Sequence, residues 1–473
     1  MRRTLHRFKV RYLNRYEFSS NSKLGPATFV PGFIPAKPCP SIVDALPIDI
    51  IHLIISHYLQ DDMETMLALS QTCSLLRQQC YPYIFQTVTI GTHPMIPIHR
   101  RETGAKPLSI SEAEAHLREF PQIADQIQHL RILDIPGDVR RTKLMPEEEN
   151  NLQYVLKLPM KRLRTLEFSM FIHWESTSDI VWDALCTMLS SPTLEEVVLI
   201  TLAIPTNIFG HFGPNVKRLD FRGQLSPLES DRALKSCFLP QDLIIRGTTG
   251  AGTLLTQTFA QLSPFNVSKL ETLDYYARGP DLVLLDEALS NCARTLRCLK
   301  IFVASWGGLP GALTLRRLSS LTSLVLTMDI AMIEFSSAEA LDRFHWICST
   351  ISSLPDVTSL EKIHILIGIG SVDTACILDI PWGELDAIFA CSKQYRCRTL
   401  RSVRITIYRE TAPILSSEFN CLDMINDLPS IANMMPFLMK TGLLELGTMN
   451  TDGVYPDPAQ ALNITPSSLG QRR

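Results

Sequence analysis

The sequence is most informative at first in what it lacks. Its 12 cysteines include no C-x-x-C pair, and the tightest spacings, Cys292 with Cys298 and Cys391 with Cys397, are too wide for a zinc knuckle. The thiols are therefore expected to be reduced and mostly buried, in a cytoplasmic or nuclear protein without a metal site. No apolar run reaches the roughly 18 residues a membrane span needs. Ile48 to Leu59 and Ile363 to Ile369 are too short or too interrupted, so no membrane association is expected. H-E-x-x-H and G-x-S-x-G are missing. The 11 histidines are dispersed, and His52 and His57, five apart, do not share a helix face. No catalytic set emerges, and neither catalysis nor a cofactor is expected.

A strong charge excess is missing too. The net charge is −3, but residues 1–40 hold eight Lys or Arg against one acid, which leaves −10 for the rest. A body of that sign argues against nucleic acid as a partner. Residues 1–40 are expected to be a disordered basic extension, with five prolines between 24 and 40. Its arginines alternate with Leu5, Phe8, Tyr12 and Leu13, which keeps a mitochondrial presequence open as an alternative. Residues 447–473 are expected to be a polar disordered tail.

What is present is enough apolar material for a large core: 45% hydrophobic against 20% charged residues in 473. From Leu46 a helical spacing appears, with Ile50, Ile51, Ile54, Ile55, Tyr58 and Leu59 apolar, Pro47 suited to a first turn and Asp49 to the positive helix end. A second helical stretch holds Met66, Leu67, Leu69, Cys73, Leu75 and Leu76 and is expected to be interrupted at Pro82. Phe85 to Ile90 then alternates like a strand. A three-helix unit so small and so rich in aliphatics is expected to bury some of them against a partner.

Four phrases in order, Leu46-Pro47-Ile48-Asp49-Ile50-Ile51, Leu67-Ala68-Leu69-Ser70-Gln71-Thr72-Cys73, Leu76-Arg77 and Tyr81-Pro82-Tyr83-Ile84-Phe85-Gln86-Thr87-Val88-Thr89-Ile90, resemble the F-box of fungal-type F-box proteins. Leu76 stands where many members carry a tryptophan. The resemblance covers residues 41–90 and implies docking on a Skp-family adaptor, and through it on a cullin. On the matching positions, Leu46, Pro47, Ile50, Ile54, Leu67 and Leu69 would be the adaptor contacts. An ordinary helical cap on the following domain is the plain alternative.

Downstream an L-x-x-L-x-I phrase recurs nine times, beginning at Leu130, Leu163, Leu194, Val216, Leu270, Leu296, Leu321, Leu360 and Leu400, with a weaker tenth around Leu243 and Ile245. About as many matches arise by chance in a chain this apolar, so the filling matters more than the count. The spacers are mostly charged or polar, such as Arg164-Thr165, Glu195-Glu196 and Glu361-Lys362. Intervening stretches look helical: Asp179 to Ser190 carries Val181, Leu185, Met188 and Leu189 on one face, and Ser336 to Glu339 forms a capping box ahead of Leu341, Phe344, Ile347 and Ile351. Residues 91–446 are therefore expected to be an α/β solenoid, an irregular leucine-rich-repeat-like horseshoe with a curved parallel sheet. A doubly wound α/β enzyme is the rival, though its strands would be continuous aliphatic runs.

The nearest approach to enzymatic chemistry is the loop Gly247-Thr248-Thr249-Gly250-Ala251-Gly252-Thr253. It has the spacing of a phosphate-binding loop, but Thr253 occupies the lysine position. Together the two resemblances imply a substrate-recognition subunit of an SCF-type ubiquitin ligase, holding an unidentified protein target on its repeats. A scaffold acting outside a ligase and an α/β enzyme built around the Gly247 loop are the alternatives.

Overall fold

The computed structural model describes residues 47–59, 62–91, 108–133, 144–174, 177–226, 240–245, 267–278, 281–304, 311–329, 337–355, 359–369, 375–390, 399–410 and 422–451. The basic arm, Leu46, the Gly247–Thr253 loop, Ser336, Trp306 and the tail past 451 lie outside them. The chain forms two compact units: residues 1–171 with 177–188, and residues 172–176 with 189–473. The fold is α/β, with an open parallel sheet and helices in the connections.

The first unit opens with helices α1 (Ile48–Ile54, prolonged by a π turn Ile55–Leu59), α2 (Met63–Thr72) and α3 (Ser74–Ile84). Pro47 sits one position before α1, where its carbonyl accepts from the N–H groups of Ile50 and Ile51. Asp62 caps α2 by accepting from Thr65 N at 3.0 Å. Cys73, with extended backbone, separates α2 from α3. Helix α3 does not stop at Pro82 as expected: it runs on to Ile84, because a proline in the last turn forfeits a single intrahelical bond. Ile51, Ile55, Met66, Leu76 and Cys80 form this subdomain's own core, with Leu59, Leu69, Cys73, Leu75, Tyr83 and Ile84 packed on it.

Strand β1 (Thr87–Gly91) follows, then α4 (Ile110–Glu119), β2 (His129–Leu133), α5 (Pro146–Leu156), β3 (Thr165–His173) and α6 (Asp179–Leu189). β1 pairs with β2 and β2 with β3, all parallel. The last residues of the segment 41–90 are thus already part of the first strand of the sheet. Pro146 begins α5, and Glu148 in its first turn accepts from Met145 N at 2.9 Å, as three acids behind a proline predict. The apolar face expected in α6, Val181, Leu185, Met188 and Leu189, is buried.

The second unit contains β4 (Glu196–Pro205), β5 (Arg218–Ser226), β6 (Asp242–Ile245), β7 (Thr272–Arg278), α7 (Asp281–Asn291), β8 (Cys298–Ala304), β9 (Ser323–Asp329), α8 (Ser337–Ser352), β10 (Lys362–Ile369), α9 (Ala375–Leu378), α10 (Trp382–Ala390), β11 (Ser402–Glu410), α11 (Leu422–Asn433), α12 (Pro436–Thr441) and β12 (Leu444–Thr451). Strand order from β4 to β12 is sequence order, and every pair is parallel. A doubly wound sheet reverses its order at a switch point; this one never does. Crossovers between parallel strands are right-handed, so steps in one direction favour connecting helices on one and the same face. The last strand reaches Thr451, past the boundary expected at 446. Of the face expected on α8, Phe344, Ile347 and Ile351 are buried, but Leu341 is exposed.

The repeating unit shows in the backbone. In most of the phrases the carbonyl that follows the first apolar position accepts two N–H groups from the spacer of the next phrase. Gln128 O takes Arg164 N and Thr165 N in the first unit; Glu271 O takes Arg297 N and Cys298 N in the second, and Glu361 O takes Arg401 N and Ser402 N, all at 2.7–3.3 Å. The N–H of the first apolar residue closes a turn on the carbonyl three residues earlier, as in Leu163 to Met160, Leu194 to Ser191 and Leu270 to Val267. The polar spacers thus satisfy their backbone laterally, repeat on repeat, while the apolar positions fill the core. Gly223 in β5 is a special case: its φ is +154°, and a Cβ there would stand 2.1 Å from Thr201 O, beside the register shift of β4.

The register corrects the expected frame of one phrase. Leu130 and Ile132 pair with Leu166 and Phe168, so the β2 phrase is Ile127-x-x-Leu130-x-Ile132, not Leu130-x-x-Leu133-x-Ile135. All three of its apolar residues are fully buried. By the same register Phe85-x-x-Val88-x-Ile90 is a copy at β1 and Thr441-x-x-Leu444-x-Leu446 one at β12.

Candidate functional site

Two surfaces stand out, one in each unit, and each is a by-product of how its elements bury their other face. On α1 and its π turn, Ile51 and Ile55 point into the helical core, which leaves Ile48, Ile50, Leu53, Ile54 and Tyr58 between 38 and 78% exposed. Ile50, Leu53 and Ile54 are spaced i, i+3, i+4, so they form one stripe. None of the five is among the residues that form the helical core or pack on it.

Of the expected adaptor contacts, Pro47, Ile50 and Ile54 lie on this exposed side, and Leu67 of α2 is half-buried. Leu69, partly buried, packs on the helical core. Leu46 lies outside the described residues. The apolar spacing of this helix thus serves two faces: Ile51 and Ile55 enter the core, while Ile50 and Ile54, with Ile48 and Leu53, stay exposed. Arg77 of the Leu76-Arg77 phrase has a local task, donating from Nε to Ser70 O at 3.1 Å and fastening α3 to the end of α2.

The second surface is the face of the second unit's sheet turned away from the buried leucines. Alternate residues fall there. Their register aligns Val198, Asp220, Ile244, Asp274, Lys300, Val325, His364, Arg404 and Glu445 across β4 to β12. The next row toward the strand ends reads Tyr276, Phe302, Thr327, Leu366, Thr406 and Gly447 from β7 to β12. Tyr276 and Phe302 stack with ring centroids 4.6 Å apart and planes 9° from parallel.

Charge is sorted along the first row. At β5, Asp220 is buried and held by Arg222 through two contacts of 3.0 and 2.7 Å. At β8 to β11 the row carries Lys300, His364 and Arg404. His364 Nε2 meets Thr406 Oγ1 at 2.9 Å. Burial, then Arg404 and Lys300, push its pKa down to about 4, so the ring is neutral near pH 7.

None of Cys73, Cys80, Cys186, Cys292, Cys298 and Cys348 is in a disulfide, and burial pushes the Cys186, Cys292 and Cys348 thiols up to about 12. Among the described residues no cluster of His, Cys, Asp and Glu could hold a metal ion, and no helix is long and apolar enough to cross a membrane. The chain matches no protein-family model and none of the curated proteins.

Proposed function

We propose that this chain is the substrate-recognition subunit of an SCF-type ubiquitin ligase. On this reading the helical subdomain is an F-box that docks on a Skp-family adaptor, and the sheet is the inner wall of an irregular leucine-rich-repeat-like horseshoe that holds a target protein. The protein contributes proximity: it raises the effective concentration of target lysines at the conjugating enzyme and forms no covalent intermediate.

The observation that carries the reading is the aliphatic stripe of α1. Five large apolar side chains exposed on one short helical segment, over a core that does not need them, have the character of the anchors at the centre of a protein interface. They lie within the segment whose four phrases resemble the F-box. One-directional strand order supports the horseshoe: helices on one face would take more room than side chains on the other, which bends a sheet of this kind.

Co-elution on size exclusion with a purified Skp-family adaptor tests the proposal. The wild-type chain should form a 1:1 complex, and Leu46→Ala with Pro47→Ala should abolish it while circular dichroism and melting stay close to wild type. An adaptor that ignores the unmutated chain would leave the scaffold role in its place.

A further inference from the structure

The sorted charge on the second unit's sheet defines a kind of target. Lys300, His364 and Arg404 occupy one register row across β8, β10 and β11, with Val325 between them on β9. The charges that act on His364 are both cations, Arg404 and Lys300. Carboxylates bound the stretch, Asp274 beside Lys300 on β7 and Glu445 beside Arg404 on β12. The adjacent row supplies the stacked Tyr276 and Phe302, then Thr327 and Leu366, half-buried rather than sealed.

We propose that this patch binds an extended acidic peptide segment of the target protein, with carboxylates over Lys300 and Arg404 and an aromatic or aliphatic side chain against Phe302 and Leu366. The inference rests on the reading of this face as target-binding and adds the chemistry of the target. Strands stand about 4.8 Å apart, so Lys300 and Arg404, three strands apart, are separated by about 14 Å. A peptide crossing the strands in extended form advances about 3.3 Å per residue, so acids four residues apart cover about 13 Å and fall on the same side. The preferred segment is therefore acid-x-x-x-acid with an apolar residue between. A basic or neutral segment would bring no carboxylate to either cation, which gives discrimination as well as affinity.

The test uses the full chain and a fluorescent library of peptides with two glutamates four residues apart around a phenylalanine, each paired with its glutamine counterpart. The glutamate peptides should include binders that lose about tenfold or more in affinity on change to glutamine, on Lys300→Glu, and on raising the salt from low to high. Lys300→Gln, which keeps the stem, should show a smaller loss in the same direction, and thermal melting of both variants should stay close to wild type. If no glutamate peptide outbinds its glutamine partner on wild-type protein, or if Lys300→Glu binds as tightly, the inference is wrong. Adaptor binding measured on the same sample separates the outcomes: adaptor bound without peptide discrimination refutes the acidic target alone, and peptide discrimination without adaptor refutes the ligase reading alone.

Discussion

The helical subdomain of the first unit and the sheet of the second solve opposite problems with similar residues. Around α1 to α3 the aliphatic content exceeds what the small core absorbs, and the surplus of Ile48, Ile50, Leu53 and Ile54 stays outside. Along β4 to β12 the apolar residues are matched to the core position by position, and the opposite face mixes charged, aromatic and hydroxylated residues with a few aliphatic ones, Val198, Ile244, Val325 and Leu366. On the proposed reading, the surplus apolar surface meets a permanent partner and the sorted charge a selective one. The same contrast separates residues that hold the fold from residues that await a ligand.

The largest expected effect breaks the interior of the second unit. Trp382 of α10 is wholly buried, donates from Nε1 to Ile377 O at 2.9 Å and meets Phe344 edge to face at 5.1 Å. Trp382→Ala should cost about 3–5 kcal/mol in a chemical-denaturation series. Ile54→Ala on the exposed stripe should change stability by less than about 0.5 kcal/mol in the absence of a partner. Equal losses at the two sites would erase the distinction between core and stripe.

A middle-sized effect is expected at Asp386. Its carboxylate, buried on α10, accepts from Phe437 N at 3.0 Å and Leu438 N at 2.8 Å, and so caps α12 from a neighbouring helix. Asp386→Asn keeps the shape but turns one acceptor into a donor facing an N–H. A loss of about 1–3 kcal/mol is expected, with raised hydrogen exchange over residues 436–441.

The smallest effect sharpens the account of the charged row. Folding lowers the pKa of His364 from its ordinary value of 6.5 to about 4, so between those values the unfolded chain binds more protons than the folded one. This neutral histidine costs nothing above about pH 7, and stability falls as pH drops through the window, by roughly 1 kcal/mol at pH 5.5. Comparing wild type with His364→Gln across that range isolates the contribution: the variant's slope should be shallower, and parallel slopes would refute the assignment.

Strand positions were largely legible because the core position of a parallel repeat must be apolar wherever it recurs. The frame was not legible at β2, where Ile127, Leu130, Ile132, Leu133 and Ile135 fit two phrases three residues apart and only pairing with β3 decides. At β12 the phrase begins with Thr441, exposed at the end of α12 ahead of the left-handed Gly442, so an apolar search passes over it. The copy at β1 was hidden by its place in the F-box-like phrase. The charged row could not be read at all before the register was known, because Lys300, His364 and Arg404 are more than 100 residues apart from first to last and meet only through strand pairing.

The outward stripe of α1 carries the account, and its affinity for the adaptor is the quantity to measure alongside stability. In a titration of the full chain with a Skp-family adaptor, Ile50→Ala with Ile54→Ala should weaken binding by about thirtyfold or more, since truncating central apolar anchors commonly costs about 2 kcal/mol or more. The melting temperature without adaptor should stay within about 2 °C of wild type. Unchanged affinity, or a loss of affinity matched by loss of the fold, would contradict the claim that these side chains exist for a partner.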